Sequence, residues 1–106
     1  SLSSHVLDLG RGRPVAGLGV ALFDRNGETL AHGVTDEDGR VASWSPAVSL
    51  TPGVYRLVFA TGDWFAARVE DTLYPEVTVA FRIDSAEHYH VPLLLSAHGY
   101  STYRGS

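Results

Sequence analysis

The sequence predicts an all-β domain, an antiparallel sandwich or barrel. Three observations support this. Apolar residues recur at every second position in several stretches, glycine-bearing turn signals separate those stretches, and only one short segment reads as helix.

In chain order, a first strand is expected near Ser3 to Leu9 and a second from Gly17 to Asp24, where Leu18, Val20 and Leu22 alternate. Asp24-Arg25-Asn26-Gly27 marks a hairpin, because Asn-Gly readily takes positive φ. A strand from about Glu28 to Thr35 follows. The acidic turn Asp36-Glu37-Asp38-Gly39 then leads into a short extended piece at Arg40-Val41-Ala42. Pro46, Pro52 and Gly53 mark an irregular connection. Tyr55, Leu57 and Phe59 alternate in the next strand. Thr61 or Asp63 is placed to cap a helix of two turns at most through Val69, and Pro75 fences it off. Val77, Val79, Phe81 and Ile83 define another half-buried strand. The last two are expected near His88 to Ser96 and Tyr100 to Arg104.

The 106 residues fit a single domain, residues 1–106. Hydrophobic content of 44% is ordinary for a soluble globular chain, and no apolar run approaches the ~20 residues of a membrane helix. With no cysteine there is no disulfide framework, thiolate nucleophile or cysteine-based zinc site. The net charge is −4 and the cationic side chains, all arginine, are scattered singly, which argues against nucleic acid and anionic membranes as partners. No glycine-rich phosphate loop and no Gly-x-Ser-x-Gly elbow is present. The expected compartment is the cytoplasm. A periplasmic location is the alternative, since the absence of Met leaves a cleaved export signal open.

Candidate chemistry gathers toward the C-terminus. On the strand from His88 to Ser96, Tyr89, Val91, Leu93 and Leu95 form a core face, while His88, His90, Pro92, Leu94 and Ser96 share the other. That mixed second face suggests cover by a second subunit, and Pro92, having no N–H, suggests an edge or a bulge. His88-x-His90 has same-face metal spacing and with His5 would number three ligands. However, alternate strand residues always share a face, no carboxylate is evidently placed behind them, and no metal is expected. His5 can act as acid or base near neutrality, or can be an ordinary hydrogen-bonded imidazole. Arg40 is either a solvated cation or a planar donor fork for an anionic or carbonyl-rich ligand. Tyr103 is either packing or a hydroxyl for a ligand, and Ser106 either a simple chain end or part of a site.

His5-Val6-Leu7-Asp8 with Gly12-Arg13-Pro14, Thr35-x-x-Asp38-Gly39-Arg40, Tyr74-Pro75-Glu76-Val77, the run from His88 to Ser96 and the closing Tyr103-Arg104-Gly105-Ser106 occur in that order along nearly the whole chain. Together they resemble the 5-hydroxyisourate hydrolases, the transthyretin-related enzymes of urate breakdown. The closing Tyr-Arg-Gly-Ser separates these enzymes from transthyretin proper. One departure is Ser96-Ala97-His98, where the family usually has Ser-Pro and an aromatic.

The resemblance implies a transthyretin-like antiparallel β-sandwich of two four-stranded sheets with one short helix. It also implies a homotetramer whose sites lie at a subunit interface, and no cofactor. The implied reaction is hydrolysis of 5-hydroxyisourate to 2-oxo-4-hydroxy-4-carboxy-5-ureidoimidazoline. His5, Arg40 and His90 are then the catalytic residues, with His5, Arg40, Tyr103 and Ser106 binding substrate. His88 matches a histidine often seen in the family and is not assigned a catalytic role. A transthyretin-like carrier and a generic β-sandwich adhesion module are the rival expectations.

Overall fold

Alternating side chains become two facing sheets. The structure, a computed structural model, describes residues 1–106. The strands are β1 (Leu2–Asp8), β2 (Arg13–Pro14), β3 (Gly19–Phe23), β4 (Thr29–Val34), β5 (Arg40–Val41), β6 (Gly53–Phe59), β7 (Val77–Ile83), β8 (Tyr89–Ser96) and β9 (Gly99–Thr102), and one helix, α1 (Thr61–Ala67), lies between β6 and β7.

One sheet runs β4-β3-β6-β7 and is antiparallel throughout. The other runs β2-β1-β8-β9, with β5 also on β1. The two-residue strands β2 and β5 share one edge of β1, β2 pairing with Leu7 and Asp8 and β5 with Ser4 and His5. Two short strands therefore fill one position of the expected four-stranded sheet, making it five-stranded. It is also mixed, since β1 and β8 pair in parallel from Leu2–Tyr89 to Asp8–Leu95. Periodicity reads which face a residue occupies and is blind to strand direction.

The core is the layer between the sheets. Leu18, Leu22, Leu57, Phe59, Leu93 and Leu95 are fully buried there, with Val6 and Val77 beside them. α1 covers one end with Trp64 and Phe65, and the Trp64 indole N–H donates to the Ala16 carbonyl at 2.9 Å. The helix lacks the expected side-chain cap. Thr61 is its first residue, fully buried, and its hydroxyl donates to the Tyr74 carbonyl at 3.0 Å. No helix is long and apolar enough to cross a membrane.

Pro92 is not at an edge. It lies inside β8, between β1 and β9, and is buried by its own chain. The β8–β9 ladder is continuous from Ser96–Gly99 to Leu93–Thr102, stops, and resumes in the same register at His90–Gly105, where the Gly105 N–H donates to the His90 carbonyl at 2.8 Å. Hydrogen-bonded pairs alternate along an antiparallel ladder, so Pro92 opposite Tyr103 falls on a bonded position. Proline has no N–H to donate there. The ladder therefore opens at Tyr103-Arg104 and closes again on Gly105.

Candidate active site

The candidate residues gather on the outer face of the mixed sheet, and the turn after β4 places the first of them. Asp36 Oδ1 accepts the N–H of Asp38 at 2.9 Å and of Arg40 at 3.0 Å, and the Gly39 N–H donates to the Asp36 carbonyl at 2.9 Å. Gly39 takes φ +78°, and a Cβ there would lie 2.5 Å from the Val6 carbonyl oxygen, so glycine is required on two counts. The Val6 N–H reaches the Gly39 carbonyl at 2.8 Å, which seats the turn against β1. Arg40 is thereby paired directly opposite His5.

The same turn orients the His5 ring. His5 Nε2 lies 2.8 Å from the Asp38 carbonyl oxygen, which can only accept, so the proton is on Nε2 and neutral His5 keeps its lone pair on Nδ1.

His90 is set by the parallel pairing of β1 and β8. Ser3 lies opposite His90 and His5 opposite Pro92, so His5 and His90 are diagonal neighbours on one face, a spacing of roughly 8 Å along the backbone. Ser3 Oγ lies 2.7 Å from His90 Nδ1 and 2.9 Å from His88 Nε2. Ser1 Oγ hydrogen-bonds His88 Nδ1. With Nδ1 committed to Ser3, Nε2 is the His90 nitrogen left for a substrate. Burial, then the neighbouring Arg40, His5 and His88, push the His90 pKa below its ordinary value, so the ring is held neutral.

Gly105 packs against that ring. A Cβ on Gly105 would fall 2.4 Å from His90 Cδ2, so the returning tail has room for the imidazole only because residue 105 has no side chain. Tyr89, on the core side of β8, steadies the connection that delivers His88. Its phenol oxygen accepts the N–H of Asp84 at 2.9 Å and of Ser85 at 3.2 Å.

Three of the sequence-predicted residues, His5, Arg40 and His90, thus meet on one face of a single chain, without a second copy. Tyr103 and Ser106 flank Arg104 and Gly105 on the returning tail. Both are exposed, Tyr103 at 56%, and neither hydrogen-bonds to the three. Tyr103 instead lines a groove of about 290 Å³ at the open edge between β7 and β9, with Phe81, Tyr89, Val91 and Arg104. That groove contains no imidazole, whereas His5, Arg40 and His90 lie on the sheet face. His88 and His90 both turn toward Ser3 and do not converge with His5 on one metal position. His32 lies on the other sheet and His98 in the turn between β8 and β9.

Sequence reading missed Ser3, the Asp38 carbonyl and the steric role of Gly105. A signal for Ser3 existed in the matched spacings Ser3-x-His5 and His88-x-His90. It becomes readable only once β1 and β8 are known to lie side by side.

A transthyretin-like sandwich bearing two imidazoles and a guanidinium on an outer sheet face is the class that fold and site define. Residues 2–105 match the model of the HIUase/Transthyretin family. A 5-hydroxyisourate hydrolase of Salmonella dublin is 50% identical over 99% of this chain and 80% of its own length. The solved 5-hydroxyisourate hydrolase of Klebsiella pneumoniae superposes with a TM-score of 0.90 at 42% identity, over 99% of this chain and 98% of that one. Transthyretin from Sparus aurata shares the fold, with a TM-score of 0.87 at 25% identity over 98% of this chain and 95% of its own. The chain belongs to the HIUase/Transthyretin family.

Proposed function

We propose that this protein hydrolyses 5-hydroxyisourate to 2-oxo-4-hydroxy-4-carboxy-5-ureidoimidazoline, a step of urate degradation. The observation that supports this most directly is the meeting of His5, Arg40 and His90 on one face of a chain 50% identical to a protein of that name. Two imidazoles and a fixed cation suit hydrolysis of a cyclic amide-type bond, whereas a carrier site needs no proton-transfer groups.

In this reading His5 Nδ1 accepts a hydrogen bond from the attacking water and orients it. His90 Nε2 takes the water's proton as the oxygen adds to the ring carbonyl. Arg40 donates to the carbonyl oxygen as it gains charge, a contribution of about 3–4 kcal/mol in comparable sites. The carbon–nitrogen bond then breaks, and His90 returns the proton to the departing nitrogen. Tyr103 and Ser106 orient the substrate from the exposed tail. The reaction needs no covalent intermediate.

The assembly proposed is a homotetramer with sites at a subunit interface. Supporting this, β7 and β9 each end a sheet with an unpaired backbone edge, and the half-buried Leu94 shares the outer face with His90. The test is to generate 5-hydroxyisourate in situ with urate oxidase and follow its ultraviolet decay. Acceleration well above the spontaneous rate is expected, and a decay indistinguishable from the blank overturns the reading. Sedimentation or light scattering showing a monomer overturns the assembly.

A further inference from the structure

Behind His90 runs a hydrogen-bonded chain that the reaction as written does not use. Ser3 Oγ sits between His90 Nδ1 at 2.7 Å and His88 Nε2 at 2.9 Å, and His88 is exposed to solvent. A hydroxyl has one proton and two lone pairs, so two neutral arrangements are possible. In one, His90 Nδ1–H donates to Ser3, Ser3 donates to His88 Nε2, and His90 Nε2 is a bare lone pair. In the other, His88 Nε2–H donates to Ser3, Ser3 donates to His90 Nδ1, and His90 Nε2 carries the proton. The first is the base that water activation needs, and the second is the acid that the departing nitrogen needs.

We propose that Ser3 and His88 are positioning residues that form a proton relay, switching His90 between these two forms. As His90 Nε2 takes the proton of water, the Nδ1 proton passes to Ser3 Oγ and the Ser3 proton passes to His88 Nε2. His90 stays neutral, and the positive charge rests on the exposed His88, where water solvates it. Returning the proton from His90 Nε2 to the departing nitrogen reverses each transfer, so the relay ends as it began. The physical reason for such a device is local: a charged His90 would sit half-buried among Arg40, His5 and His88, the surroundings that disfavour an imidazolium.

This proposal rests on His90 being the group that moves the proton, and the experiment separates the two. Turnover is measured on freshly generated 5-hydroxyisourate for Ser3→Ala, Ser3→Thr, His88→Ala and His90→Ala, with added imidazole as a probe. Ser3→Ala is expected to lower kcat by about tenfold or more with KM little changed, and Ser3→Thr, which keeps the hydroxyl, to stay within about threefold. His88→Ala is expected to lose kcat similarly and to recover part of it with millimolar imidazole, which an exposed position admits and a purely structural role does not explain. Nitrogen-15 NMR of the wild-type His90 ring should show a mixture of tautomers that collapses to one in Ser3→Ala. Wild-type kcat in both Ser3→Ala and His88→Ala, or no rescue by imidazole, overturns the relay while leaving His90 as the base. Near-normal kcat in His90→Ala overturns the reading beneath it.

Discussion

Gly105 and His90 fit together because one of them has no side chain. A Cβ added at Gly105 would stand 2.4 Å from His90 Cδ2, well inside any permitted contact. Gly105→Ala should therefore push the imidazole off its place beside Ser3 while the backbone bond from the Gly105 N–H to the His90 carbonyl remains available. The expected outcome is a loss of kcat of roughly ten- to a hundredfold, a partial loss beside the about 10²–10⁴ that positioned proton transfer contributes, with little change in melting temperature. Steady-state kinetics beside differential scanning calorimetry checks this, and unchanged kcat would show that the ring tolerates displacement.

The three residues proposed for proton transfer and charge stabilisation differ in what each would supply. Replacing His90 by Ala removes the proposed proton carrier and should cost about 10²–10⁴ in kcat. Arg40→Ala removes the donor to the developing oxyanion and should cost about 10²–10³. His5→Ala removes an orienting acceptor and should cost less than His90→Ala. The measurement is the ultraviolet decay of fresh substrate, and near-normal rates in all three variants would refute the site.

His90 should titrate below the ~6.5 of a free imidazole, since burial and then Arg40 lower its pKa. Removing the guanidinium in Arg40→Gln should move the titration upward. The same shift links to stability. As pH falls, the unfolded chain binds this proton before the folded chain does. The stability contributed by neutral His90 is therefore complete above the unfolded value and is lost as pH falls through the folded one. Following the His90 ring resonances by NMR from pH 8 to 4 tests both points. A midpoint at or above the free value would contradict the environment described.

The turn that carries Arg40 is sterically committed. Gly39→Ala must hold φ near +78° with its Cβ 2.5 Å from the Val6 carbonyl oxygen, a strain expected to cost at least ~2 kcal/mol and to withdraw Arg40 and the Asp38 carbonyl from His5 together. Denaturant melts should show the loss, and turnover should fall with it. By contrast Leu93→Ala, at a fully buried position of β8 facing the core, should cost about 2–5 kcal/mol, and in the fraction that remains folded kcat should be largely kept. The two variants thus separate turn geometry from core packing, and equal kcat losses per folded molecule would refute that separation.

Much of this protein was legible before folding. The period-two runs gave the strands and the core faces, including Tyr89, Val91, Leu93 and Leu95 inward, because alternation across a strand is a local property of the backbone. The Asp36 to Gly39 turn was legible for the same reason: an Asx hydrogen bond and a glycine at positive φ lie within a few residues of each other. Family likeness also singled out His5, Arg40 and His90, which the fold brings to one sheet face. What folding alone decided is which strands became neighbours. The parallel pairing of β1 with β8 joins residues about 87 positions apart, and from it follow Ser3 between two imidazoles and the diagonal placement of His5 and His90. Pro92 shows the limit most plainly. Its missing N–H was visible in the sequence, but whether it marked a sheet edge or an opening in an interior ladder depended on the strand lying opposite, and pairing between distant segments is a property of the packed whole.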